Sequence, residues 1–140
     1  MFTKAIRAAV KRAMRGVASA SWNDVASREF AFLATLGIGL EESFSHWEGD
    51  YVRFSGIAGG LSIAYEPEST GDLTGYVWRG GDRQLTMTFP ELAWRHASGE
   101  ALPSSRPRNG REAEEATCAW ARIMRFAVPE YLRSTSQAAG

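Results

Sequence analysis

Few residues of this chain have the types and spacing that catalysis requires. His46 and His96 are the two histidines, and Cys118 is the one cysteine among 140 residues. Neither histidine lies at a helical or hairpin spacing from the other or from Cys118, so the sequence predicts no metal site and no Cys–His pair. His46 has acidic neighbours that would suit a general base, but a histidine on the surface of a strand is the commoner arrangement.

Paired carboxylates are the second possible source of chemistry. They occur at Glu41/Glu42, Glu66/Glu68 and Glu114/Glu115. Acidic residues one or two positions apart on a strand or helix usually form a solvated surface. The chain also lacks the glycine motifs of phosphate-binding loops and the Gly-x-Ser-x-Gly motif of serine hydrolases. We therefore predict no catalytic residue, no metal, no cofactor and no enzyme activity.

Hydrophobic periodicity predicts the elements that position these residues. A helix that Asn23 or Asp24 caps should run to Leu36, with Gly37 as its stop. The period then changes to two, which predicts four or five short strands. Pro90 should begin the next helix, and Asn109 should cap a long last helix. This order predicts an α+β fold, a four- to five-stranded antiparallel meander with N-terminal and C-terminal helices packed on one face.

The distribution of charge divides the chain into parts. The sequence predicts a basic amphipathic helix in residues 1–20, a single α+β domain in residues 21–133 and a flexible tail in residues 134–140. The first segment has five basic residues and no acid, so the rest has 11 basic against 16 acidic residues and a formal charge of −5. Those five basic residues are Lys4, Arg7, Lys11, Arg12 and Arg15.

The basic helix has three interpretations. Its apolar stripe could dock on the domain core, it could bind an anionic membrane, or it could be a targeting segment. Nucleic acid is not expected as a partner, because the acidic domain would repel phosphate. No apolar run is long enough to cross a bilayer, and a lone cysteine is typical of a reducing compartment, so we expect a cytoplasmic protein.

Acidic and aromatic residues in and around the strands predict a surface for a protein partner. If the strands pair as a meander, several acids crowd one edge of the sheet and produce a negative field that suits a basic partner. Some aromatic residues also point away from the core, where they either meet another layer or stand exposed as anchors. The predicted partner-binding residues are Glu41, Glu42, Glu48, Asp50, Tyr51, Glu66, Glu68, Asp72 and Trp78.

The order and spacing of these elements resemble those of a known class of small proteins. A helix ending in Leu36-Gly37 leads to an acidic strand, then to the strands Asp50 to Phe54 and Leu61 to Tyr65, and later to a helix ending Pro129-Glu130-Tyr131-Leu132. Over roughly residues 25–133 the chain resembles small α+β immunity-type proteins of bacterial polymorphic toxin systems. The resemblance implies a stoichiometric protein that neutralises a toxin by masking its active site or a nearby surface. The alternative is a membrane-peripheral or assembly module that residues 1–20 anchor.

Overall fold

Five antiparallel strands form one sheet in which each strand pairs with its neighbour in sequence. The computed structural model describes residues 21–96, 99 and 101–139, without the side chains of 82–85 and 134–139, so the predicted basic helix of residues 1–20 lies outside the described residues. The strands are β1 (Gly39–His46), β2 (Gly49–Ser55), β3 (Gly59–Tyr65), β4 (Leu73–Arg79) and β5 (Asp82–Thr88). The helices are α1 (Trp22–Glu29), the 3-10 helix η1 (Ala31–Leu36), α2 (Phe89–His96) and α3 (Gly110–Ala139). The predicted α+β meander is confirmed.

One face of the sheet packs on the helices and forms the core. Alternation along β2 places Val52 and Phe54 inward, and the strand register pairs them with Ile63 and Leu61 on the same face. The helices cover this inner face with large side chains that are almost completely buried. Those less than 2% exposed include Phe30, Leu33, Phe89, Leu92 and Met124. Burial of this apolar surface is the main force that holds the helices on the sheet.

The first described helix begins and ends differently from the sequence prediction. Its N-cap is Ser21, whose hydroxyl accepts from the backbone N–H of Asp24 at 3.2 Å, so neither Asn23 nor Asp24 is the cap. The single helix predicted through Leu36 instead breaks at Phe30, after which η1 continues to Leu36. This break coincides with Phe30 in the core, where it is 0% exposed. Gly37 then ends η1 in the left-handed conformation, at φ 74°, as predicted.

Helix α3 begins as predicted and is longer than predicted. The side-chain oxygen of Asn109 accepts from the backbone N–H of Glu112 at 2.9 Å, which confirms the cap. We expected a turn at Pro129, but the helix passes through it to Ala139. Proline removes the N–H that would bond to the carbonyl of Arg125, and because Arg125 is exposed, water can take the place of that donor. Buried Val128 and Tyr131 hold the helix on the core on both sides of Pro129.

Candidate functional site

Negative charge is concentrated in the first three strands and their turns. Residues 37–72 contain seven acidic residues and one basic residue, Arg53, which gives a formal net charge of −6. The remaining described elements contain both signs in nearly equal number. The acidic character of the domain is therefore a property of one end of the sheet, and a field of one sign there would attract a basic molecule.

The outer face of this region, opposite the helices, carries a stack of rings. The Phe44 ring lies 5.0 Å from the Tyr51 ring, at an interplanar angle of 15°. The His46 imidazole also stacks on Tyr51, with centroids 4.7 Å apart. Phe44 is 40% exposed and Trp47, in the turn that follows β1, is 41% exposed. Exposed rings of this kind are typical anchors of protein interfaces.

Tyr51 joins the rings to the acids. Its hydroxyl donates to Oε2 of Glu66 at 3.0 Å. Burial, the hydrogen bond to Glu66 and the negative charges of Glu66, Glu48 and Asp50 together raise the pKa of Tyr51 to about 12, and burial is the largest of these causes. The phenol therefore stays protonated at neutral pH and continues to donate to Glu66.

We call this surface the acidic–aromatic face. Glu42 belongs to it because it lies opposite Arg53 on the outer side of the strand pair, with 3.5 Å between the guanidinium and carboxylate groups. Such an exposed ion pair contributes little to stability, so Glu42 is available to exchange Arg53 for a charge on a partner. The face consists of Glu42, Phe44, His46, Tyr51 and Glu66 on the outer side, together with Trp47 and Glu48 of the turn that joins β1 to β2.

A buried asparagine beneath the face holds the edge strand β1 in place. Strand β1 is exposed along its length, and on its inner side Ser43 and Ser45 follow one apolar residue, Leu40, which is itself 55% exposed. The Asn23 amide nitrogen lies 3.1 Å from Ser43 Oγ and 3.2 and 3.3 Å from the carbonyls of Phe44 and Tyr51, to which it donates. Its carbonyl oxygen accepts from Ser45 Oγ at 3.3 Å. We call these contacts the Asn23 clamp.

The structure brings some of the predicted partner-binding residues together and separates others. Glu42, Glu48, Tyr51 and Glu66 share the acidic–aromatic face. Glu41 is the extra residue of a bulge in β1 and is exposed beside it, and Glu68 lies in the turn after β3. Asp72 accepts a hydrogen bond from Arg106 at 2.9 Å, beside the backbone hydrogen bond from Leu73 to the carbonyl of Ser105 that joins the loop after α2 to the sheet.

Two predicted residues offer no surface to a partner. Asp50 is 3% exposed and Trp78 is 5% exposed. Asp50 lies on the inner side of β2, two residues before inward Val52, whereas Trp78 lies on the outer side over Gly60. Phe44 was not among the predicted partner-binding residues, and Asn23 was predicted only as a candidate helix cap. The ring pair Phe44 and His46, two residues apart on a strand, was the available signal for the stack.

The groups considered for catalysis are not arranged for it in the described part of the chain. His46 is stacked flat on the outer face, and its Nδ1 accepts from the backbone N–H of Glu48 at 3.2 Å. Burial, with a smaller contribution from the hydrogen bond to Glu29, raises the pKa of the Cys118 thiol to about 11, so the thiol is a poor nucleophile at neutral pH. The described residues contain no group of three or more His, Cys, Asp and Glu that could hold a metal ion.

A cavity of about 170 Å³ lies near the opposite edge of the sheet, where the pairing of β4 with β5 ends and α2 begins. Its walls include Leu73, Phe89 and Trp120, and no histidine, cysteine or carboxylate lines it. The walls are therefore suited to an apolar group and contain no acid or base for catalysis.

The Tyr51–Glu66 pair predicts a specific dependence on alkaline pH. The pKa of Tyr51 in the folded chain, about 12, lies above the ordinary value of 10.0. Because the folded state holds this proton more tightly, the stabilisation that it provides is complete below pH 10 and is lost as the pH rises from 10 to 12. In an absorbance titration of tyrosinate, we expect Tyr51→Phe to remove a transition close to pH 12.

Tyr76→Phe is the matched control for this titration, because it removes one tyrosine from the same face of the sheet without changing the contact with Glu66. If Tyr51→Phe instead removes a transition near pH 10, the phenol is not buried against Glu66 as the structure describes.

Comparisons of the chain with protein-family models, with curated proteins and with solved structures give no match. In the part of the chain that the structure describes, no helix combines the length and the apolar character needed to cross a bilayer. The case for a function therefore depends on the surface itself.

Proposed function

We propose that this protein is a non-enzymatic binding protein that captures a basic protein partner on the acidic–aromatic face. In the immunity-like form of this proposal, the partner is a toxin, such as a nuclease, and the protein neutralises it by occlusion. The observation that supports the proposal is the coincidence of exposed rings with concentrated negative charge: Phe44 and Trp47 are about two-fifths exposed within a region of formal net charge −6.

Rings and acids contribute to binding in different ways. Buried aromatic anchors supply most of the affinity of a typical protein interface. Charge complementarity mainly accelerates association and selects the partner. The stack of Phe44, Tyr51 and His46 is preorganised by its own contacts and by the bond from Tyr51 to Glu66, so binding would order few side chains.

A nuclease is a suitable partner because its substrate is a polyanion. The cleft that binds phosphate must be positive, and an acidic protein surface can occupy the same cleft. A face that combines carboxylates with rings resembles a nucleic-acid strand in charge and in stacking capacity. Occlusion needs no catalytic group on the inhibitor, which agrees with the positions of His46 and Cys118.

The experiment is a binding assay with the proteins encoded next to this gene, each purified separately and passed over the immobilised chain. We expect one basic protein to be retained at low salt and more weakly in about 1 M salt, where the Debye length is about 3 Å. Glu42→Lys combined with Glu48→Lys should abolish retention, because it reverses two charges of the acidic–aromatic face. If the retained protein is a nuclease, one equivalent of this chain should inhibit it.

The matched control is Glu115→Lys combined with Glu130→Lys, which makes the same change in net charge on α3, on the helical side of the sheet. It should retain the partner as the wild type does. The proposal is wrong if no neighbouring gene product is retained, if the Glu42/Glu48 variant retains the partner in full, or if both double variants lose it equally.

A further inference from the structure

We propose that residues 1–20 of this chain occupy the acidic–aromatic face when no partner is bound. The inference combines the position at which the described chain begins, the length of the preceding segment, and the complementarity of its charges and apolar stripe to the face. Its second part, that a partner must displace this segment, rests on the proposed function.

The described chain begins beside the strand that carries the face. Ser21 caps α1, and Asn23, two residues later, donates to the carbonyls of Phe44 and Tyr51. Strand β1 is the edge of the sheet, so no further strand separates Ser21 from the outer side. The residue that precedes Ser21 is therefore attached at the border between the helical layer and the acidic–aromatic face.

The segment has the length to pass around this edge and cross the face. Residues 17–21, if extended, reach about 13 to 14 Å, which is enough to pass from one side of an edge strand to the other. Residues 1–17, if helical as their periodicity predicts, would be about 25 Å long. Five strands at about 4.8 Å spacing make a sheet about 19 Å wide. A helix of this length therefore matches the width of the outer face.

The segment and the face are complementary in charge and in apolar surface. The segment carries five basic residues and no acid, against a formal net charge of −6 in residues 37–72. Its apolar stripe, which includes Phe2, Ile6 and Val10, has a counterpart in the exposed rings of the face. Tyr76, 43% exposed and opposite Ser62 of β3, adds a further exposed ring on the same side of the sheet. Contact would cover both apolar surfaces at once.

A docked segment would make capture of a partner selective. A short tether gives the segment an effective concentration of about millimolar or more at the face. A weakly basic protein could not displace it, whereas a partner with a dense positive surface could. Neutralising the segment with Arg7→Gln, Lys11→Gln and Arg15→Gln should therefore increase the affinity for the partner, by about tenfold if the segment occupies the face nine-tenths of the time.

The test uses the full chain without any partner. A nitroxide is attached at Ala8→Cys in a Cys118→Ser background, and the broadening of backbone amide signals is measured by NMR. We expect broadening at Phe44, His46 and Tyr51. Glu42→Lys with Glu48→Lys should remove most of it, and Glu115→Lys with Glu130→Lys should leave it unchanged. In a label-free measurement, the triple Gln variant of the segment should shift the same amide signals in an otherwise wild-type chain.

Three results would overturn the inference. The first is broadening centred on α1 or α3, which would place the segment on the helical layer. The second is the same broadening with and without the Glu42/Glu48 reversal. The third is flotation of the full chain with vesicles of phosphatidylserine and phosphatidylcholine, because a docked segment has no apolar stripe left for lipid.

The failures of the two proposals are distinguishable. If the nitroxide shows no docking but a basic gene neighbour is retained on the acidic–aromatic face, only this inference fails. If docking is observed and no partner is retained, the proposed function fails and the segment is a permanent cover of the sheet.

Discussion

Phe30→Ala is expected to lower the free energy of unfolding by about 3 to 5 kcal/mol, a large part of the roughly 5 to 15 kcal/mol that stabilises an ordinary domain. Phe30 is 0% exposed and lies at the break between α1 and η1. Its ring is 5.9 Å from Phe89 and 6.4 Å from Phe54, so it joins helix α2 to strand β2. Alanine would leave a cavity where three elements meet. Urea unfolding, followed by tryptophan fluorescence, measures the change.

Two variants show whether the loss comes from that cavity. Phe30→Leu keeps most of the volume and should cost about 1.5 kcal/mol or less. Phe126→Ala removes the same ring from a site on α3 that is 60% exposed, and we expect a change within about 0.5 kcal/mol. A loss for Phe126→Ala as large as that for Phe30→Ala would show that the ring contacts around Phe30 do not form the core described.

Local signals predicted most of the fold because they act over a few residues. Period-two alternation located the strands, and residues with a single conformational role located several boundaries. Gly37 adopts the positive φ that ends η1, Pro90 lies in the first turn of α2, and Asn109 caps α3. Each of these positions depends on backbone geometry that the residue type itself decides.

The features that could not be predicted depend on contacts between residues that are far apart in the sequence. Asparagine two residues after a serine is a reasonable helix cap, and only the folded chain reveals that Asn23 faces strand β1, more than 20 residues away in sequence. The alternation that places Trp78 outward does not show that it is buried, because burial depends on packing beyond its own strand. The inward position of Asp50, by contrast, could have been predicted, because Asp50 is two residues from inward Val52 on the same strand.

The candidate site could likewise be predicted only in part. Composition predicted that acids and rings of the early strands form a surface, and the register places Glu42, Phe44 and Tyr51 on one side. Sequence could not show that Tyr51 donates to Glu66, because Tyr51 lies on β2, Glu66 directly follows β3, and only the pairing of these two strands brings them together. The geometry therefore reduces the nine predicted residues to Glu42, Glu48, Tyr51 and Glu66, to which Phe44, His46 and Trp47 are added.

The Asn23 clamp gives the second large expected effect, and it connects stability with the candidate site. Asn23→Ala removes the donor to the Phe44 and Tyr51 carbonyls and the acceptor of Ser45, beneath a strand whose inward apolar side chain, Leu40, is 55% exposed. We expect a loss of about 1 to 3 kcal/mol in the free energy of unfolding, because buried polar groups lose their partners. Hydrogen exchange should quicken in β1 more than in β3 or β4.

Matched substitutions separate the clamp from a general loss of stability. Asn23→Asp keeps the size and the acceptor for Ser45, but it turns a carboxylate oxygen toward two carbonyls, so β1 should also exchange faster. Asn109→Ala removes an exposed helix cap, costs about 1 kcal/mol and should leave exchange in β1 unchanged. If Asn23→Ala quickens exchange in all strands equally, β1 is held by the sheet ladder alone. If β1 responds selectively, the acidic–aromatic face is positioned by one buried amide, and Asn23→Ala should weaken capture of a basic partner without altering any surface charge.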